Sequence, residues 1–170
     1  MRVRRHPLGA IAAAATALTL AGCAAGSPQT DASAFVKEHG AAAARVATAT
    51  SAVELALSRL SSPPTRSQLG QLARSVRQAR SELARAHTWT VAGSGEEGAE
   101  EEDVPRAETQ VTEGAAEMLG AISAVQAYAS ALSAGAVARY RSKLADGRTQ
   151  WNEGIAQLWY LAHRSRPPTV

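Results

Sequence analysis

The chain reads as all-α: an antiparallel up-down four-helix bundle that follows an N-terminal export segment. Three observations predict this. Apolar residues recur at alternating steps of three and four through four separate stretches, the signature of helix faces rather than strands. Breaks rich in proline, glycine or acidic residues divide those stretches. Aromatic residues make up 4% of the 170 positions while alanine is abundant, a composition suited to closely packed helices and poorly suited to a sheet.

The first element holds Arg2, Arg4 and Arg5, then an apolar run from Leu8 to Leu20, then Ala21, Gly22 and Cys23. The run is shorter than the roughly 20 residues of a bilayer-spanning helix. Small residues stand where a signal peptidase needs room. Leu20-Ala21-Gly22-Cys23 resembles the lipobox of bacterial lipoproteins, a resemblance confined to the first 23 residues. It implies that residues 1–22 are a cleaved signal peptide and that Cys23 is the lipidation site, palmitate-bearing through its diacylglyceryl group. It also implies a lipid anchor in the cell membrane, with the domain on the extracytoplasmic face. An ordinary secretory signal with an incidental cysteine is the alternative. Residues 23–30 form the lipidated cysteine and a linker containing Gly26, Ser27 and Pro28, with a reach of at most roughly 28 Å.

Charge is read after cleavage. Three of the 18 lysines and arginines leave with the signal, so the remainder balances its 15 acids. The sequence pI of about 9.5 belongs to the precursor and gives no reason to expect nucleic acid. Cys23 is the one cysteine, so no disulfide forms within the chain and stability rests on packing.

The bundle spans residues 31–166. Asp31 is the expected N-cap of the first helix, whose stripe runs Phe35, His39, Ala42, Val46, Ala49, Val53, Leu57 and Leu60. Ser61-Ser62-Pro63-Pro64 stops it, because proline cannot continue the hydrogen-bond ladder. Thr65 and Gln68 have capping-box spacing at the start of the second helix, with Leu69, Leu72, Val76, Ala79, Leu83 and Ala86 as its stripe. A Gly-rich acidic loop over 91–104 follows. Pro105 suits the first turn of the third helix and Glu108 its positive dipole end. That stripe is Val111, Ala115, Met118, Ile122, Val125, Ala129 and Leu132. Ser133-Ala134-Gly135 is the expected turn into the fourth helix, with Val137, Tyr140, Leu144, Gly147, Trp151, Ile155, Leu158 and Ala162 as its stripe. Pro167-Pro168 is the expected stop, leaving a tail over 167–170. A pair of helical hairpins exchanged between two protomers has the same periodicity. The mature part resembles small helical lipoproteins of high-GC Gram-positive bacteria in architecture alone, and no motif assigns a specific family.

Up-down connectivity gathers the anchored N-terminus, the acidic loop and the C-terminus at one membrane-proximal end. His39, His87 and His163 come to that end, and converging imidazoles bind zinc or copper. They are the candidate metal ligands, although an axial offset of roughly 10 Å between His39 and His87 opposes a shared ion. Helix capping and end solvation explain three histidines more cheaply. Arg66, Arg74, Arg77, Arg80 and Arg85 give the second helix a basic face, a candidate partner surface for an acidic envelope protein or polymer. Its plainer explanation is a solvated face balanced by the acidic loop, Glu113 and Glu117. Gly147 and Gly154 either permit close helix packing or open a small pocket near Trp151 for a hydrophobic ligand. Trp159 is a core residue or a rim aromatic. No Gly-x-Ser-x-Gly elbow, phosphate loop or metalloprotease helix occurs. The expectation is therefore a non-catalytic envelope binding or scaffolding module without a cofactor, its membrane contact made through the acylated cysteine. A metal-handling bundle and a ligand-binding bundle are the alternatives.

Overall fold

The computed structural model describes residues 27–89, 103–128 and 134–170, and these form four helices. They are α1 (Pro28–Ser58), α2 (Arg66–Ala86), α3 (Asp103–Tyr128) and α4 (Ala134–Leu161). The lipobox with Cys23, and residues 91–102 of the acidic loop, lie outside the described residues. Among the described residues no helix is long and apolar enough to cross a membrane.

Ser27, not Asp31, caps α1. Its extended backbone lets its hydroxyl accept the Thr30 N–H at 3.3 Å. Pro28 then takes the first helical position, where the N–H it lacks has no helical acceptor. The helix therefore begins inside the segment read as linker, and Asp31 falls in its first turn, where its charge favours the helix dipole. The capping box of α2 forms as expected: Thr65 N–H donates to Gln68 Oε1 at 2.8 Å, and Gln68 N–H donates to Thr65 Oγ1 at 3.3 Å. The Gln68 amide also donates to Arg59 O at 2.7 Å, so one side chain both starts α2 and ties it to the end of α1. The acidic loop gives up its last two residues to α3, whose first turn includes Asp103 and whose third residue is Pro105.

Contacts run α1–α2, α2–α3, α3–α4 and α4–α1, with α3–α4 the most extensive and only slight contact across the α1–α3 diagonal. Residue pairings set the directions. Arg45 meets Glu82 near one end of the α1–α2 pair, and Arg59 meets Gln68 at the other. Gly40 lies against Trp159 and Glu54 against Arg148, so α4 also runs opposite to α1. The result is an up-down four-helix bundle.

The expected stripes of α2 and α4 form the core almost unchanged, except that Leu69 and Val137 are only partly covered. In α1 the buried alanine is Ala43 rather than Ala42. That helix also buries Ala32, Thr50 and Ala56, a wider face than one stripe because it touches both neighbours and the diagonal helix.

The fourth helix ends at Leu161, ahead of the proline pair. Arg164 N–H donates to Trp159 O at 2.8 Å and His163 N–H to Tyr160 O at 3.0 Å. With His163 at a left-handed φ of 52°, this is a Schellman cap with histidine in the usual glycine place. The cap reverses the chain. Residues 167–170 fold back along α4, so they pack with the bundle instead of remaining at the end where α1 begins.

Candidate functional site

The basic face of α2 follows from its wheel. Arg66, Arg74 and Arg77 lie on the arc opposite Leu72, Val76, Ala79 and Leu83, and all three are exposed. Arg80 and Arg85 flank that arc. Arg80 donates to Gln126 of α3. Arg85 reaches Glu82 at 3.3 Å, and Glu82 also faces Arg45 of α1 at 3.5 Å. The face thus divides into two edge residues with neighbours and a centre of three arginines. Among the described residues no carboxylate comes within ion-pair distance of Arg66, Arg74 or Arg77. Glu113 and Glu117 do not pair with the face.

The histidines part company. His39 is buried in α1, stacked on Trp89 with ring centroids 4.8 Å apart and planes 7° from parallel. Phe35 meets the same ring edge-on at 4.9 Å. His87 is exposed at the C-cap of α2, its Nδ1 2.7 Å from Ala84 O. His163 is exposed in the Schellman turn. Among the described residues no three His, Cys, Asp or Glu side chains gather closely enough to hold a metal ion. Among the described residues, His39, His87 and His163 thus do not gather into one such group, in keeping with the axial offset between His39 and His87. Topology brings helix ends together, but one imidazole is packed among aromatic rings and the other two serve their own helix termini.

Gly147 and Gly154 are packing residues. A Cβ on Gly154 would lie 2.5 Å from Ala107 O, and one on Gly147 would lie 2.9 Å from Gly114 O. Gly114 completes the seam from α3, its Cβ position 2.6 Å from Trp151 N. Of the two alternatives the close packing is the one formed, with the backbones of α3 and α4 filling the space a pocket there would need. Trp151 is wholly buried, and Trp159 packs on Gly40 with 7% exposure, so both belong to the core. A shallow groove of about 380 Å³ opens elsewhere on the α3–α4 pair, lined by Glu117, Gly120, Ala121, Lys143 and Asp146.

Three features escape sequence reading. Glu108 sits in the first turns of α3 as expected, but only 5% of it is exposed. Tyr140 is buried as its stripe predicts, but its hydroxyl has no hydrogen-bond partner among the described residues, which the stripe does not show. Burial, reinforced by the Glu54 carboxylate and opposed by Arg148 and Arg141, pushes its phenol well above the ordinary tyrosine range. Arg148 and Asn152 hold the returning segment, with Arg148 also paired to Glu54 of α1 at 2.7 Å. Their spacing of four on one helix face is the single sequence cue, and it is common on any solvated helix.

Comparison with protein families, with curated proteins and with solved structures finds no match to this chain.

Proposed function

We propose that the protein is an exported lipoprotein, held at the outer face of the cell membrane through acylated Cys23, that acts without catalysis as a binding or scaffolding module at the envelope. The single observation that carries this reading is the centre of the α2 face. Arg66, Arg74 and Arg77 stand exposed, without carboxylate partners among the described residues, on a helix whose opposite side is committed to the core. Guanidinium groups offer fixed forks of donors for carboxylates, and their field draws an acidic partner in from a distance. An acidic surface on another envelope protein is the matching occupant. A lipid anchor favours the encounter by confining both molecules to one surface, which raises their effective concentration.

Two arms test the proposal. Metabolic labelling with a palmitate analogue should mark the wild-type chain in the membrane fraction, and Cys23→Ser should lose both label and membrane retention. A photo-crosslinker at Gln71, exposed on α2, should trap one discrete partner on intact cells, and raised salt during the exposure should weaken that product. Membrane retention of Cys23→Ser would refute the anchor. A salt-insensitive smear of products would refute the docking face.

A further inference from the structure

Residues 167–170 occupy a groove on α4 beside α1 whose polar contacts are all to main chain. Asn152 grips residue 170 in both directions: Val170 N–H donates to Asn152 Oδ1 at 2.8 Å, and Asn152 Nδ2 donates to Val170 O at 3.2 Å. Arg148 Nε donates to the same oxygen at 2.9 Å, while its Nη1 is fixed by Glu54 Oε1 at 2.7 Å. One step along, Trp151 Nε1 lies 3.5 Å from Pro168 O. Val170 inserts its side chain, 8% exposed, whereas Thr169 remains in solvent. A groove that holds main-chain donors and acceptors plus one aliphatic side chain is equipped to recognise a short peptide. This one is bent at Pro168, where Thr169 N–H donates to Pro167 O at 3.0 Å, and proline before the anchor lowers the entropy lost on docking.

The occupant is held by its last residues while its approach is unfavourable. His163 and Arg166 both adopt left-handed φ, 52° and 62°, a region that L side chains seldom enter, and residues 163–166 are exposed. Withdrawal of the segment frees Arg166 to leave that region, whereas His163 keeps its turn as the cap of α4. It also leaves Arg148, Asn152 and the Trp151 indole facing a groove shaped for a peptide backbone.

We propose that this groove is a peptide-docking site plugged in cis by residues 167–170, and that its partner in trans is a proline-led segment of another protein that turns at the proline, as residues 167–169 do, and carries a β-branched aliphatic residue into the site of Val170. The proposal rests on the reading of the chain as a binding module and names a second surface for it, separate from the α2 arginines.

The test uses the full chain in detergent and the peptide acetyl-Arg-Pro-Pro-Thr-Val, followed through the Trp151 indole N–H resonance. Val170→Asp places a charge in the aliphatic site and should eject the plug. That variant should bind the peptide at least about tenfold more tightly than the wild-type chain, in which the plug competes. Adding Asn152→Ala should remove the binding. Helical circular dichroism checks that Val170→Asp is folded. If it is not, the wild-type chain at millimolar peptide should still show the Trp151 indole shift, and Asn152→Ala alone should abolish that shift. Absence of peptide binding by folded protein would overturn the proposal, as would binding that survives Asn152→Ala. A wild-type dimer abolished by Asn152→Ala would also overturn it, by showing that a second copy fills the groove. Failure here with the α2 crosslink intact would remove the groove alone, whereas loss of the crosslink with peptide binding intact would remove the arginine surface alone.

Discussion

The seam between α3 and α4 and the outer face of α2 are built on opposite terms. At the seam, Gly114, Gly147 and Gly154 let two backbones touch, with no room for even one methyl group. On α2, Gly70 meets only the Arg74 guanidinium, 3.8 Å from where its Cβ would stand, and the arginines around it extend into solvent. The same residue type thus marks a structural necessity in one place and an open surface in the other. Side chains at the seam are retained by packing. Those on the α2 face contribute little to the fold, so their arrangement is available for binding.

One substitution made in both places breaks or sharpens that contrast. Gly154→Ala forces a methyl onto Ala107 O and should destabilise the bundle by about 1–3 kcal/mol, measured by chemical denaturation. Gly70→Ala should instead stabilise it by about 1 kcal/mol, because a helical glycine is replaced where nothing crowds the new methyl. Equal effects at the two sites would erase the distinction.

Smaller effects probe the margins. Replacing His163 by glycine should add about 0.5–1 kcal/mol, since glycine enters the left-handed turn without steric cost. A loss of stability would mean that the imidazole does more than occupy a cap. Tyr140→Phe removes a buried hydroxyl without a partner among the described residues and should lie within about 1 kcal/mol of wild type at neutral pH. Its pH dependence carries a definite sign. The folded-state pKa is raised, so the unfolded chain gives up its phenolic proton first and stability falls as pH rises beyond about 10. Denaturation midpoints should decline there in the wild-type chain and decline less in Tyr140→Phe. Parallel declines would place the alkaline sensitivity elsewhere.

The bundle was legible because burial on a helix is periodic. Trp151, Ile155 and Leu158, or Leu72, Val76 and Leu83, declare a face by spacing alone. Thr65 and Gln68 were legible for a related reason: a capping box is a local device with fixed spacing. Ser27 was hidden by Asp31, an equally good cap further along the same polar stretch. The arginine face followed from the wheel, but its division into edge and centre depends on Gln126 and Glu82 of the folded bundle. The histidines show what topology leaves open. Connectivity brings helix ends together, but it does not say which side chains meet there, and His39 packs against Phe35 and Trp89. The returning segment was the least legible feature. It depends on a non-glycine residue turning left-handed and on Glu54 meeting Arg148 across 94 positions of chain.

The most direct measurement replaces Arg66, Arg74 and Arg77 together with serine and records thermal midpoint and in-cell crosslinking from Gln71 on the same protein. Exposed side chains away from packed features should together change stability by less than about 1 kcal/mol, so the midpoint should hardly move while the crosslink disappears. An unchanged crosslink, or a midpoint that collapses with it, would contradict the claim that these arginines are a docking surface rather than part of the fold.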